Sequence, residues 1–284
     1  IDTPAEPKDS TFKDSIKHQA YPVRALGGLL FGYLGPLPAP ALPHWDVLTW
    51  EHGVRTVERH SVLDCNWLQC MENSVDPSHL YWLHGGSAHL ASLMDDYEET
   101  HDFIPFDYGI MKRRSTPIKG RGVQIDQHPL LFPTTLRHVA RVRGGEGLRH
   151  NLQFRLPIDD THTQVLRAYF TPTPGAHSPS DAAVPCRFVD MCDENGDFRM
   201  NVVPAQDAMA WVTQGPVMDR SEERLGAGDK GVVIYRRLVR EQIEAVAAGK
   251  TPLGVRPGGN EAIIELDVIN ERIGLIQPER QGAA

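Results

Sequence analysis

The chain has 284 residues, of which 40% are hydrophobic and 23% charged, with a formal net charge of −8 and 13 histidines. That length can enclose a large core without fixing the number of domains. No run approaches the ~20 apolar residues that cross a bilayer, and an acidic chain lacks the basic surface that nucleic acid or an anionic membrane demands. Neither is expected as a partner.

The first ten residues, IDTPAEPKDS, contain no initiator methionine and no basic or apolar signal region, so the sequence is expected to be truncated at its start. Residues 20–24 and 28–34 read as two strands of a hairpin turning at Gly27-Gly28. Residues 35–43, GPLPAPALP, then carry four prolines in nine positions and form an extended linker, which sets a domain boundary near residue 45. Residues 54–63 read as a strand and residues 66–73 as a helix. Asp76-Pro77 looks like an N-cap followed by proline at the first position of a second helix. From about 95 to 203 the pattern becomes short β-runs, among them 152–156, 164–171 and 198–203, predicting an antiparallel sheet. The last third returns to helical spacing. Asp229 is the predicted N-cap, Val232, Val233, Leu238, Val239, Ile243 and Val246 the apolar stripe, and Gly249 the stop. Four cysteines are too few for a disulfide scaffold and suit a reducing cytoplasm. The element order implies an α+β fold.

The densest chemistry lies in ENSVDPSHLYWLH, residues 72–84, where Asp76, His79 and His84 have the spacing D-x2-H-x4-H. Two imidazoles beside a carboxylate suit a borderline divalent metal. On a regular helix, positions five apart lie roughly 140° apart around the axis and cannot share an ion. A π-type loosening to about 4.4 residues per turn brings that offset near 50°. The spacing is not H-E-x-x-H, which removes the main support for a zinc protease. The three-ligand set that activates O2 at iron(II) needs a further carboxylate, and composition and spacing leave Asp190, Asp193, Asp197, Asp207, Asp219 and Asp229 all open.

The YPV and GGLLFGYLG hairpin, the segment NWLQCMENSVDPSHLYWLH, and the late block QDAMAWVTQGPVMDRSEERLGAGDKGVVIYRR, in this order, closely resemble the Rieske-type aromatic-ring-hydroxylating oxygenases. The likeness is to the large-subunit branch that holds phthalate dioxygenase and aryl-ether demethylases, and it spans nearly the whole chain. The resemblance implies a helix-grip catalytic domain, an antiparallel sheet curved around a long C-terminal helix, over residues 46–284. Residues 1–45 would then be the end of a Rieske β domain. It implies mononuclear Fe(2+) on His79, His84 and Asp207, with Asp76 linking His79 to the [2Fe-2S] cluster of a neighbouring subunit and Asn73 near the iron. It also implies an aromatic substrate, O2, electrons from a separate reductase, and a homotrimer. One departure matters: no cysteine is followed by histidine two or three positions on, so the cluster motifs C-x-H and C-x2-H are absent from the chain as given.

Plainer roles are expected elsewhere. His89, His101 and His128 read as hydrogen-bonded core or surface histidines, Asp219 and Asp229 as caps, Tyr81, Trp82 and Trp211 as core, and Arg236-Arg237 as a solvated helix face. Asp76 has a capping role open to it as well. Two other classes of function compete with the oxygenase: a metal-free carrier of a hydrophobic ligand on the same fold, and a zinc-dependent hydrolase. Pocket residues are expected between about 90 and 205.

Overall fold

The computed structural model describes residues 2–85, 97–118, 122–141, 147–256, 262–266 and 268–270. After one helical turn, α1 (Phe12–Ser15), strands β1 (Val23–Leu26) and β2 (Leu29–Gly32) form the expected antiparallel hairpin. Its two-residue turn needs left-handed backbone at both positions, which Gly27 (φ 64°) and Gly28 (φ 85°) supply without a Cβ clash. The proline-rich stretch leads through β3 (His44–Trp45) and the single turn α2 (Asp46–Thr49) to the main sheet.

That sheet is built from β4 (Gly53–His60), β5 (Thr100–Phe106), β6 (Gly109–Ile118), β7 (Gly122–Leu131), β8 (Thr135–Arg141), β9 (Leu148–Pro157), β10 (Thr163–Pro172) and β11 (Cys186–Val189). Their order is β11-β4-β10-β9-β8-β7-β6-β5, and near the chain's end β12 (Ile263–Ile264) pairs with β3 while β13 (Ile269–Asn270) lies beside β7. The meander β5 to β10 is antiparallel, as the short β-runs predict. β11 departs from it by running parallel to β4.

The period of two along each strand sends alternate residues to opposite faces. On the outer face Leu131, Leu152, Phe154, Ala168 and Phe170 pack with Val47, Leu48 and the hairpin residues Leu29 and Phe31. Each such burial contributes about 1.5–3 kcal/mol. Two buried arginines sit in this layer: Arg55 donates Nη2 to the Trp50 carbonyl (2.6 Å), and Arg137 makes an ion pair. Arg137 donates Nε to Asp46 Oδ1 (3.1 Å) and Nη2 to Asp46 Oδ2 (2.9 Å), with both side chains 1% exposed. The inner face is different in kind, because Glu58, Lys112, Gln153, Arg155 and Arg167 are all buried there.

Helices cover the inner face. α3 (Trp67–Val75) starts where Asn66 Oδ1 accepts the Leu68 N–H (2.9 Å). α4 (His79–Trp82) follows, then α5 (Val203–Val212) and the long α6 (Lys230–Ala247), which begins after Asp229 and ends ahead of Gly249 (φ 71°), as predicted. Met71 and Val75 of α3 and Val232 and Tyr235 of α6 meet Ile110 and Leu130 of the sheet. Cys65, Cys70, Val165, Ala205, Ala208 and Trp211 form a second packed group. The four cysteines are free thiols, with Cys65 and Cys70 Sγ atoms 3.7 Å apart. The architecture is α+β, a large open sheet gripping helices.

Four expectations need correction. Residues 198–203 do not form a strand: Phe198 makes one isolated bridge to Cys192, and Val203-Pro204 opens α5, where a missing N–H costs nothing. Of the stripe on α6 only Val232 is buried, with Leu238 and Val239 half-buried, while Val233, Ile243 and Val246 are 49%, 64% and 55% exposed. Trp82 is 71% exposed rather than core, stacking edge-on with Tyr81. Arg236 is not a solvated side chain. It donates to Glu72 Oε1 (2.6 Å) and Glu223 Oε1 (2.8 Å), and Arg220 joins the same Glu72, so one buried carboxylate ties α3 to α6. Arg237 is exposed as expected.

Candidate metal centre

α3 runs out at Val75, and the chain restarts at α4 with Asp76 as its anchor. Asp76 Oδ1 accepts from the Ser78 N–H (2.8 Å) and Ser78 Oγ (2.5 Å), and its Oδ2 accepts from the His79 N–H (3.2 Å). These bonds satisfy helix-start donors that would otherwise lack partners, so the capping role is real. The helix is a single turn and then loosens. Leu83 N–H bonds the His79 carbonyl (2.7 Å) and so does His84 N–H (3.3 Å), a five-residue span of the π type. The loosening that the i, i+5 spacing requires is therefore present, and the His79 and His84 rings approach to 5.2 Å between centroids.

Each imidazole is fixed by its other nitrogen. His79 Nδ1 donates to the Asp76 backbone carbonyl (2.5 Å), and His84 Nδ1 donates to Gln206 Oε1 (2.6 Å). Gln206 is itself oriented by donating Nε2 to the Met200 carbonyl (2.6 Å), which settles which end of its amide faces the ring. Both histidines thus turn Nε2 toward Asp207, on the first turns of α5: His84 Nε2 lies 3.0 Å and His79 Nε2 3.9 Å from Asp207 Oδ1. Asn73 Nδ2 is 3.5 Å from the same oxygen, too far for a strong bond.

Ligand atoms of His79, His84 and Asp207 all lie within 4.8 Å of one another, and among the described residues no other group of three such side chains does. Donors at adjacent vertices of an octahedron, with bonds of ~2.1 Å, sit ~3 Å apart. His84 and Asp207, at 3.0 Å, meet that requirement, and His79, at 3.9 Å, has to close by about 1 Å to join them; two nitrogens with one oxygen suit iron better than calcium or magnesium. Four of the five other candidate aspartates serve turns: Asp190, Asp193, Asp219 and Asp229 accept the backbone N–H groups of Cys192, Asn195, Ser221 and Gly226, and exposed Asp197 is outside the group.

Electrostatics prepare the site for a cation. Burial disfavours the charged form of both Asp207 and His84, but their mutual hydrogen bond prevails, holding the Asp207 carboxyl below its usual value and lifting His84 above its own. His79, buried beyond bonding reach of any carboxylate, is pushed down to about 4 and stays neutral, the form that binds metal.

The trio borders a cavity of about 540 Å³ between the inner sheet face and the helices. Leu80, Leu136, Val202 and Pro204 give it apolar wall, and Lys112, Arg155 and Arg167 give it charge. The lining reaches from Glu58 to Asp207, wider than the expected 90–205. Sequence reasoning passed over Gln206 and these three cations. The only signal for Gln206 was its place beside Asp207, and the cations read like any solvated alternate positions of a strand. His128 and His138 stack at 4.5 Å within the lining, and His101 bonds Glu99, as hydrogen-bonded or packed histidines were expected to do. His89 lies outside the described residues.

Residues 190–269 match the model of the family described as LigXa C-terminal domain like. The chain is 35% identical, over 98% of its length, to the 5,5'-dehydrodivanillate O-demethylase oxygenase subunit of Sphingobium sp. (strain NBRC 103272 / SYK-6), covering 66% of that protein. It is 27% identical over 93% of its length to the phthalate 4,5-dioxygenase oxygenase subunit of Pseudomonas putida, covering 67% of it. The chain thus spans about two thirds of the length of these relatives. Among solved structures, the terminal oxygenase of carbazole 1,9a-dioxygenase from Nocardioides aromaticivorans IC177 superposes with a TM-score of 0.54 at 15% identity, over 84% of this chain and 71% of that one. NdmA QL mutant of Pseudomonas putida CBB5, solved with theobromine, gives 0.59 at 15% identity over 84% of this chain and 66% of that one. These two share the fold. With the demethylase subunit matched along almost the entire sequence, the chain belongs to the Rieske-type aromatic-ring oxygenases, a family of oxidoreductases, among their large oxygenase subunits.

Proposed function

We propose that this chain carries the oxygen-activating half of a terminal oxygenase, with one Fe(2+) held by His79, His84 and Asp207 beside an aromatic substrate in the adjoining cavity. The observation that carries this reading is the convergence of those three side chains, with His84 and Asp207 buried, His79 half-buried, and both rings fixed in orientation. Iron(II) bound there supplies the reduction of O2, which the protein's own side chains cannot perform. His84 is aimed by Gln206 and His79 by the Asp76 carbonyl, so the donor atoms are preorganised before metal arrives. Asn73 stands beside the same Asp207 oxygen that faces the histidines, 3.5 Å away. The outcome is ring hydroxylation, with one or two oxygen atoms, or demethylation of an aryl ether.

Residues 1–45 are on this reading the end of a Rieske β domain and 46–284 the catalytic domain. Electrons would come from a [2Fe-2S] cluster held outside this chain's own residues and fed by a separate reductase, and Asp76, bonded to the His79 N–H and 29% exposed at its side chain, would face the neighbouring subunit of a homotrimer that presents it. A cytoplasmic setting suits free cysteines and a described chain with no helix long and apolar enough to cross a membrane. Metal analysis of the purified chain tests the proposal: about one iron per chain is expected, lost in His79→Ala and Asp207→Ala with the circular dichroism spectrum preserved. Zinc in place of iron, or unchanged iron in His79→Ala, would overturn it.

A further inference from the structure

Two thiols meet behind the metal centre. Cys65 and Cys70 are both 0% exposed, both free, and their Sγ atoms lie 3.7 Å apart, in contact without a bond. A disulfide needs ~2.05 Å, so the sulfurs would have to close by about 1.6 Å. Cys70 lies on α3, which Asn66 caps and Gln69 anchors by donating Nε2 to the Trp211 and Gly215 carbonyls, 3.0 Å each. Cys65 lies in the bend between β4 and α3, outside regular structure, and that bend is the part free to supply the movement.

The two thiols are chemically unequal. The hydrogen bond from Cys70 holds the Cys65 thiol below its usual value against the cost of burial, whereas burial pushes Cys70 well above. The thiolate is the nucleophile, so Cys65 is placed to attack an oxidant and Cys70 to resolve the product. Cys192 differs: burial and the neighbouring Asp190, Asp193 and Asp197 push its thiol up.

α5 alone stands between this pair and the metal centre. It turns Val203, Pro204 and Asp207 to the cavity and packs Ala205, Ala208 and Trp211 against the cysteines. Arg155 of the cavity lining lies over the Trp211 ring, 5.7 Å from its centroid. Hydrogen peroxide is small and uncharged, and local opening lets it cross one packed layer.

We propose that Cys65 and Cys70 are a peroxide-reactive dithiol that closes to a reversible disulfide when O2 is reduced at the metal centre without attack on substrate. The source of the peroxide rests on the oxygenase reading; the reactivity of the pair does not. Two electrons and two protons convert O2 to hydrogen peroxide. The Cys65 thiolate attacks one peroxide oxygen, the O–O bond breaks, and the departing hydroxide takes the proton that Cys65 gave up, leaving water and a sulfenic acid. The Cys70 sulfur then attacks the Cys65 sulfur. An S–S bond forms as the S–O bond breaks, and this second hydroxide takes the Cys70 proton. Two thiols and one peroxide thus give one disulfide and two waters, with the two electrons lost by sulfur gained by oxygen.

Thiol counting on the full chain, iron-free and iron-loaded, tests this. One equivalent of hydrogen peroxide added to the iron-free chain should lower the thiols titrated in denaturant from four to two and yield a linked Cys65–Cys70 peptide that dithiothreitol reopens. Cys70→Ser should instead trap the Cys65 sulfenic acid as a dimedone adduct, and Cys65→Ser should leave Cys70 unoxidised. Four thiols remaining in the wild type, loss confined to Cys186 and Cys192, or sulfinic acid at Cys65 in place of the disulfide would overturn the dithiol. The iron-loaded chain given O2 and ascorbate without substrate should form the same disulfide, and the iron-free chain should not. A disulfide that forms with added peroxide but not with iron, O2 and ascorbate would overturn the metal centre as its source. A chain that takes up no iron overturns the oxygenase reading and leaves the added-peroxide result standing.

Discussion

The two faces of the main sheet follow the same alternation and reach opposite ends. Outward, Leu152, Phe154, Ala168 and Phe170 close against the hairpin and α2 into a filled layer, and the ion pair there, Arg137 with Asp46, is bidentate. Inward, one residue along the same strands, Arg155 and Arg167 are as deeply buried with no carboxylate at ion-pair distance among the described residues, and a cavity of about 540 Å³ stands where packing would otherwise be. One face supplies stability and the other spends some of it on a binding site, the division expected where function needs groups that folding alone would not choose.

Removing one partner from the outer pair should show the largest effect. Arg137→Ala leaves Asp46 charged and dry, and urea unfolding should lose about 3–5 kcal/mol. A loss below about 1 kcal/mol would mean that the outer layer is not the stable one.

The inner face should respond with the other sign. Burial drops Lys112 from its ordinary 10.5 to about 8, with nearby Arg114 adding to the effect. Between those two values the unfolded chain binds a proton that the folded chain does not, so wild-type stability rises with pH across that window, by up to about 3 kcal/mol. Lys112→Met should flatten that rise in unfolding curves taken from pH 8 to 10, and a wild-type curve already flat there would break the contrast.

Gln206→Ala separates orientation from ligation. With the His84 ring freed, iron affinity measured by chelator competition should weaken about 10–100-fold while all three ligands remain. An unchanged affinity would assign the ring's orientation to packing alone. The smallest effect is expected outside both faces, at Arg237, whose exposed pair with Glu241 spans one helical turn at 3.6 Å. Arg237→Ala should move the unfolding midpoint by no more than about 0.5 kcal/mol.

Features decided by local chemistry were legible in the sequence. Asn66 and Asp229 mark helix starts, Gly27-Gly28 the hairpin turn and Gly249 the helix end, and the five-residue gap between His79 and His84 demanded a loosened turn that is there. The choice of Asp207 came from resemblance, because six aspartates were equivalent until the fold placed α5 beside α4. Features decided by tertiary context stayed hidden. Alternating Arg155 and Arg167 look the same in sequence whether they face water or an enclosed cavity, and Arg236 reads as a surface cation until Glu72 arrives from 164 positions earlier. Trp82 misled in the other direction, since an aromatic beside two candidate ligands suggests core, yet it points outward.

The shared carbonyl of His79, accepting from both Leu83 and His84, makes chain length a functional quantity in this stretch. Inserting one residue into 80–83 would widen the offset to six, about 120° from alignment on a regular helix, and turn the second imidazole away from Gln206, whereas replacing Tyr81 or exposed Trp82 leaves the count intact. The segment should therefore tolerate many changes of identity and no insertion.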